Sequence, residues 1–320
     1  MRISGFGRCG LSSCVAVAML AGCGASSQST AAIPQGSSAI RRANQHGRSG
    51  SGDLIYVAAI GKSYVLTYPQ GKLIGTIDVG AADACTDNAG DVFLAGDQIE
   101  EFAHGGTSPI AGLSTPGAPF GCAVDPASGD LAVVFARTGG NDVAVFPNAR
   151  GSATLYTSNL NSYWCGYDNQ GNLFVDGIGQ GGAAGLAELA KNAQSFEILS
   201  ITPHIQGVFN RVQWDGRYLT VEAQSNYKRG THHSVSINRL SVSGSTATVV
   251  GTTQIKTIRK TAALSWIDGD KVLVPYGNAG RYNPNIGYWN YATGGAPVKQ
   301  VKKPAGKAAI INAITISKGS

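Results

Sequence analysis

One strand–turn–strand pattern recurs along this chain and limits the folds that it can adopt. In residues 119–134 a short apolar strand is followed by an Asp/Gly turn and then by a second apolar strand. A two-stranded hairpin cannot bury both of its faces, so the copies must pack against one another. The pattern therefore predicts an all-β protein built from repeated small sheets.

The spacing of the copies indicates a β-propeller. Similar positions just ahead of each second strand are occupied by Asp53, Asp91, Asp130, Asn172, Arg217 and Lys271. The first intervals are close to the repeat of about 40 residues that is typical of a four-stranded blade, and the later ones are longer. A content of 44 Gly with only 14% charged residues agrees with many short strands joined by tight turns.

The two ends of the repeat region predict the number of blades. Residue 53 opens directly on a second strand, whereas residues 309–317 read as a first strand with nothing after it. Pairing these two strands would close the ring and remove the exposed sheet edges. We therefore expect six blades, with seven as the alternative.

The segment from Asp168 to Asp176, with its Asp-Asn-Gln-Gly turn, resembles NHL repeats and the related SMP-30/gluconolactonase-like propellers. This resemblance implies a six-bladed propeller over residues 53–320. Lactonases of that superfamily bind calcium through acidic and amide side chains from separate blades, and no Glu of this chain matches that role. We expect no cofactor and no metal, and leave Ca²⁺ open.

The N-terminal residues are typical of an exported lipoprotein. Arg2 and Arg8 precede an uncharged stretch that ends at residue 20 and is too short to span a bilayer. The sequence Leu20-Ala21-Gly22-Cys23 that follows resembles the bacterial lipobox. It implies a signal peptide at 1–22 and a diacylglycerol on Cys23. An ordinary secretory signal is the alternative.

Residues 23–52 predict a flexible tether between this lipid and the propeller. They are rich in Ser, Gly, Ala and Gln and contain few large apolar groups, so burial cannot offset their loss of entropy on ordering. A coil of this length spans roughly 30 Å. We expect the protein to lie outside the cytoplasm in a bacterial cell envelope, held to the membrane by its lipid.

The charge of the chain gives no support to nucleic-acid binding. The formal net charge is +6, and removal of Arg2 and Arg8 with the signal peptide lowers it by two. Most of the remaining Lys and Arg residues are scattered along the chain, which is typical of a solvated surface.

Three cysteines occupy equivalent places in three successive first strands: Cys85, Cys122 and Cys165. Equivalent Cα atoms of neighbouring blades are expected near or beyond the limit of about 7 Å for a disulfide. We therefore favour small buried packing residues. One disulfide and a three-thiolate metal site remain open.

No Ser/His/Asp or paired-carboxylate arrangement that would identify an enzyme stands out. Propeller ligands bind at the mouth of the central channel, where the connecting loops vary. The predicted ligand-binding residues are Tyr163, Trp164, His204, Asn210, Arg211, Tyr227 and Tyr282. Such a mixture suits a glycan, peptide or protein partner, although Trp164 and Phe209 also suit packing between blades. We expect a binding or scaffold module, with an enzyme of the lactonase or lyase type as the alternative.

Overall fold

A computed structural model describes residues 52–224, 235–256, 261–278, 282–307 and 309–319. Regular structure in these residues is almost entirely β, with 3₁₀ turns at Pro147–Ala149 and Gln180–Gly182. None of the described helical segments is long and apolar enough to cross a membrane. The strands are β1 Leu54–Ala59, β2 Ser63–Thr67, β3 Leu73–Ile77, β4 Asp83–Thr86, β5 Val92–Ala95, β6 Ile99–Phe102, β7 Ala111–Leu113, β8 Pro119–Val124, β9 Leu131–Arg137, β10 Gly140–Phe146, β11 Thr154–Tyr156, β12 Asn161–Tyr167, β13 Leu173–Ile178, β14 Ala184–Leu189, β15 Glu197–Thr202, β16 Val208–Trp214, β17 Leu219–Gln224, β18 Val235–Ser243, β19 Thr246–Ile255, β20 Thr261–Ala262, β21 Trp266–Asp268, β22 Lys271–Asn278, β23 Tyr282–Asn290, β24 Lys299–Val301 and β25 Ile311–Ser317.

These strands form six blades, which confirms the predicted propeller. From the inner to the outer strand, blade 1 is β25-β1-β2-β3, blade 2 is β4 to β7, blade 3 is β8 to β11 and blade 4 is β12 to β15. Blade 5 is β16 to β19. In blade 6 the inner strand consists of two short pieces, β20 and β21, which both pair with β22, followed by β23 and β24.

The last strand closes the ring as expected. β25 pairs antiparallel with β1, from Leu54 opposite Ser317 to Ala59 opposite Ile311. Beyond the strand, Lys318 forms ion pairs of 3.0 Å with Asp53 and 2.7 Å with Asp268. Both ends of the described propeller therefore lie at one face.

The Asp/Gly turns are stabilised by their own Asp side chains and by glycines with positive φ. The Oδ1 atom of Asp168 accepts hydrogen bonds from the backbone N–H groups of Gln170 and Asn172, and Gly171 has a φ of 85°. Asp87, Asp125 and Asp215 cap their turns in the same way. An Asp side chain replaces a backbone partner in such turns, and Gly accepts positive φ without a Cβ clash.

Large side chains on the third strands fill the spaces between blades. Phe102, Phe146 and Trp289 are almost fully buried in separate inter-blade clusters. Around the axis the inner strands approach one another closely. A Cβ atom on Gly121 would lie 2.6 Å from the Tyr163 carbonyl oxygen, and one on Gly166 would lie 2.6 Å from that of Val212.

One connection between blades was not expected from the sequence. The outer strands of blades 4 and 5 pair in parallel, from Ser200 opposite Thr246 to Thr202 opposite Thr248. This pairing joins the two blades into one eight-stranded sheet.

The preferred prediction for the three cysteines was wrong. Cys85 and Cys122 form a disulfide across blades 2 and 3, with their Cα atoms 5.8 Å apart. Inner strands converge toward the axis, so equivalent positions lie closer than the assumed blade spacing. The bridge also excludes a three-thiolate metal site. Cys165 is free and buried, and burial raises the pKa of its thiol.

Loss of this bridge should destabilise the propeller measurably. Changing Cys85 and Cys122 together to Ala releases a closed loop whose ends are 37 residues apart. We expect the free energy of unfolding to fall by about 3 to 4 kcal/mol, measured by urea unfolding without reductant. Cys165→Ala is the control. Its free energy of unfolding should fall clearly less, because Cys165 forms no disulfide. Equal unfolding midpoints for the double variant and the unchanged protein would refute the bridge.

Candidate functional site

The inner ends of all six blades surround one cavity on the axis. Its volume is about 400 Å³, within the range of roughly 300 to 1,000 Å³ that is usual for ligand sites. Every blade contributes to its lining, which consists of Ala82, Phe120, Tyr163, Trp164, Asn210, Gln224, Ala262, Ala263, Leu264, Ile311 and Asn312. We call this cavity the mouth.

β-Bulges place the larger side chains of the mouth. In four blades the ladder between the first and second strands shifts register at the mouth, and the shift leaves extra residues in the first strand. These residues are Asn312 in blade 1, Phe120 in blade 3, Tyr163 and Trp164 in blade 4, and Asn210 in blade 5. In blade 6 the first strand is broken between β20 and β21 at the same level.

A bulge leaves a residue outside the ladder and changes the direction of its side chain. One interrupted strand could be an accident of packing. The described part of the chain interrupts the inner strand in five blades, and each interruption contributes side chains to one cavity. The mouth is therefore a specific feature of this propeller.

Three aromatic residues form one wall of the mouth. Phe120 and Tyr163 meet edge to face, with ring centroids 6.1 Å apart, and the Tyr163 hydroxyl accepts a hydrogen bond from Asn161. Trp164 is half-buried and packs against the core cluster that contains Leu264. Trp164 thus serves in blade packing and in the lining, whereas Phe209 is buried in the core of blades 4 and 5.

Three side-chain amides supply the polar part of the lining. Asn210 donates to the Val208 carbonyl at 3.3 Å, Gln224 to Glu222 at 2.9 Å and Asn312 to the Ala81 carbonyl at 2.8 Å. No described residue donates a hydrogen bond to the side-chain oxygen of any of the three. The amides therefore present acceptors to a ligand.

An ionic cluster lies beneath the mouth. Arg211 is 4% exposed and pairs with Asp83 across the axis, while its second amino group lies 3.4 Å from the Ala84 carbonyl oxygen. The guanidinium carbon is 5.1 Å from the ring centroid of Trp266. The other carboxylate oxygen of Asp83, Oδ2, accepts the Cys122 N–H at 3.1 Å. This pair ties blade 2 to blades 3 and 5.

Two further buried carboxyl groups support the lining directly. Asp176 accepts the Trp164 N–H at 2.9 Å, and Glu222 accepts the Ser265 N–H at 2.9 Å as well as the Gln224 amide. Burial raises the pKa of Asp176 to about 8 and raises the pKa of Glu222. Neither group belongs to the lining of the cavity.

The structure brings together only some of the predicted ligand-binding residues. Tyr163, Trp164 and Asn210 line the mouth. Arg211 does not reach it, because the bulge at Asn210 turns the next side chain into the core. His204 is exposed on the connection between β15 and β16, outside the lining. Tyr227 and the side chain of Tyr282 lie outside the described residues.

Sequence reasoning missed other residues of the site. The sequence does not mark Asn312 or Gln224 as a site residue, because each is a single amide within an apolar strand. Asp176 and Glu222 stand out only as acids inside buried second strands, a position that favours a partnered or functional carboxyl group. Within the described ranges, no three His, Cys, Asp or Glu side chains meet to hold a metal ion.

A larger cavity of about 590 Å³ adjoins the mouth and shares Ala82 and Asn312 with it. It lies between the loops of blades 1 and 2. Its charged lining residues are all acidic, namely Asp78, Asp97 and Glu100. Asp78 is paired with Lys62 at 2.6 Å.

Comparison with known proteins supports the fold. No family model matches the chain, and no curated protein matches it. A Bacteroides caccae protein of unknown function has a TM-score of 0.61 at 11% identity, covering 83% of this chain and 99% of that one. The nidogen/laminin complex gives a TM-score of 0.62 at 12% identity, covering 83% of this chain and 98% of that one.

The Myceliophteria thermophila Cps50 (Swd1) β-propeller domain gives a TM-score of 0.52 at 10% identity, covering 78% of this chain and 83% of that domain. Likeness at these identities shows the fold alone. The chain shares the β-propeller architecture of these proteins.

Proposed function

We propose that this protein is a membrane-anchored, extracytoplasmic binding module whose axial mouth takes a neutral saccharide. The observation that carries the proposal is the set of interrupted inner strands, which direct aromatic and amide side chains from several blades into one cavity. A ring-shaped scaffold with such a cavity suits binding of a small ligand or of one end of a longer one.

The lining chemistry favours a neutral ligand that carries hydroxyl groups. No charged side chain lines the mouth in the described residues, so an ionic ligand would lose its hydration without gaining a partner. The flat faces of Tyr163 and Trp164 suit the C–H faces of a sugar ring. The side-chain oxygens of the three amides, which accept no hydrogen bond from a described residue, suit its hydroxyl donors.

The described lining of the mouth contains no carboxyl group, histidine, lysine or cysteine that could serve in acid–base catalysis. A lactonase or lyase related to the NHL and SMP-30 propellers would need titratable groups or metal ligands in contact with the substrate. Among the described lining residues, Tyr163 is the only titratable one. This composition supports binding over an enzymatic role.

The described propeller begins at the face opposite the mouth. Ile311 lines the mouth at the start of β25, and Leu54 pairs with Ser317 at the far end of that strand. Seven residues of strand separate these ends by about 20 Å. The chain therefore enters the propeller at the opposite face, where His104 contacts the Gly52 carbonyl at 3.2 Å.

Two experiments test the proposal. The full chain in detergent should bind neutral oligosaccharides on an array that also carries acidic glycans, amine-bearing glycans and peptides. Selective binding to any of the other three classes would contradict the ligand assignment. Cys23→Ala should release the protein from the membrane fraction, and its retention there would contradict the anchor. One similar structure, the nidogen/laminin complex, makes the peptide arm of the array worth including.

A further inference from the structure

Asp176 occupies an unusual position under the mouth. Its residue exposure is 0%, and its Oδ1 atom accepts the Trp164 N–H at 2.9 Å. Its Oδ2 atom is buried and has no hydrogen-bond partner among the described residues. A buried carboxylate with an unpartnered oxygen is unfavourable when charged, and a proton on that oxygen removes most of the penalty.

The surroundings of Asp176 disfavour its charge further. The charged and titratable groups that act on it are Asp83 on β4, Cys165 on β12, Arg211 on β16 and Glu222 on β17. Arg211 is the only cation among them, and it is already paired with Asp83. The negative charges of Glu222 and Asp83 act in the same direction as burial and raise the pKa of Asp176 to about 8, against the effects of Arg211 and of the Trp164 N–H.

Trp164 is the mouth residue that Asp176 can influence most directly. The register shift between Ser162 and Cys165 leaves Trp164 outside the ladder between β12 and β13. Its N–H is bound instead by Asp176, so the bulge depends on a side chain rather than on a neighbouring strand. If Asp176 becomes charged, water or a new donor must reach Oδ2. The bulge is the nearest part of the backbone that is outside the ladder.

We propose that Asp176 is a positioning residue for the mouth: its protonated form holds the Trp164 bulge as described, and loss of the proton shifts the bulge and weakens ligand binding. The effect on binding rests on the function proposed above. The movement of Trp164 does not.

Fluorine NMR tests the movement without any ligand. The full chain is labelled with 5-fluorotryptophan, and the Trp164 resonance is assigned with Trp164→Phe. Between pH 6 and 10 this resonance should shift with a midpoint near pH 8 in the unchanged protein and stay constant in Asp176→Asn. Asn keeps the acceptor for the Trp164 N–H and cannot ionise in this range. Trp214, at the far end of β16, is the internal control and should not titrate.

The Glu222→Gln variant distinguishes titration of Asp176 from titration of Glu222. It also keeps the test valid if Asp176→Asn fails to fold. Because Glu222 raises the pKa of Asp176, this variant should keep the Trp164 titration and move its midpoint to lower pH. A Trp164 resonance that is flat in the unchanged protein would overturn the inference. So would a titration that persists in Asp176→Asn, or one that Glu222→Gln abolishes.

The consequence for binding is measured with a neutral trisaccharide, maltotriose or cellotriose, at pH 7 and pH 9.5. If only the protonated form binds, the apparent Kd should rise by up to about thirtyfold, in proportion to the lost competent fraction. Asp176→Asn should show no such rise. If Trp164 titrates and neither sugar binds at either pH, the ligand assignment fails and the proton link stands. If a sugar binds equally at both pH values and the Trp164 resonance does not shift with pH, the proton link alone fails.

Discussion

Deletion of residues 311–320 is expected to abolish cooperative folding of the propeller. The deletion removes β25, which pairs with β1 along its whole length and buries Ile311, Ile314 and Ile316. Each of these side chains contributes roughly 1.5 to 3 kcal/mol by burial, so their combined loss is comparable with the whole stability of a typical domain. The open ring would also expose the inner edge of β1.

Differential scanning calorimetry measures this effect. The shortened chain should show no cooperative transition, or a transition whose midpoint temperature is lower by more than about 15 °C. The control deletes only residues 318–320, which removes the exposed Lys318 ion pairs and should cost about 1 kcal/mol or less. A chain without β25 that melts like the unchanged protein would contradict the closed ring.

Arg211→Met should produce the largest effect of any single substitution near the axis. It leaves Asp83 buried without its cation and removes the contact with Trp266. Breaking one side of a buried ion pair costs about 3 to 5 kcal/mol. Urea unfolding should show a loss of this size. Arg217→Met is the matched control, because Arg217 is exposed and stacks on Tyr218 at the surface, and its loss should be within about 0.5 kcal/mol.

A second substitution separates the ion pair from the packing of the Arg211 side chain. Adding Asp83→Asn to Arg211→Met removes the unpaired charge and should recover part of the lost stability, since residues in direct contact are not additive. An Arg211→Met variant as stable as Arg217→Met would show that the pair does not tie the blades together.

The blades could be predicted from the sequence because they depend on local chemistry. The Asp and Gly residues of each turn determine their own conformations, and apolar strands on both sides show where each sheet lies. The closing strand was predictable for the same reason, since residues 309–317 are apolar and have no partner nearby in the sequence. Parallel pairing of β15 with β19 gave no such signal, because it depends on how two blades meet.

The site was less predictable because it depends on register. A one-residue bulge reverses which side chain points to the axis. Sequence reasoning therefore grouped Asn210 with Arg211, whereas the bulge sends the first to the mouth and the second into the core. The disulfide was an alternative and not the preferred prediction for a related reason: the distance between Cys85 and Cys122 depends on how tightly the inner strands converge.

Calorimetric titration of the full chain with neutral trisaccharides at pH 7 tests the claim that the mouth is the ligand site. Trp164→Ala removes an aromatic lining residue, whereas Tyr218→Ala removes an aromatic residue next to the Asp215 turn, outside the lining. We predict binding of at least one trisaccharide, weakened about tenfold or more by Trp164→Ala and unchanged by Tyr218→Ala. Binding that survives Trp164→Ala undiminished, or no binding of any neutral trisaccharide, would contradict the claim.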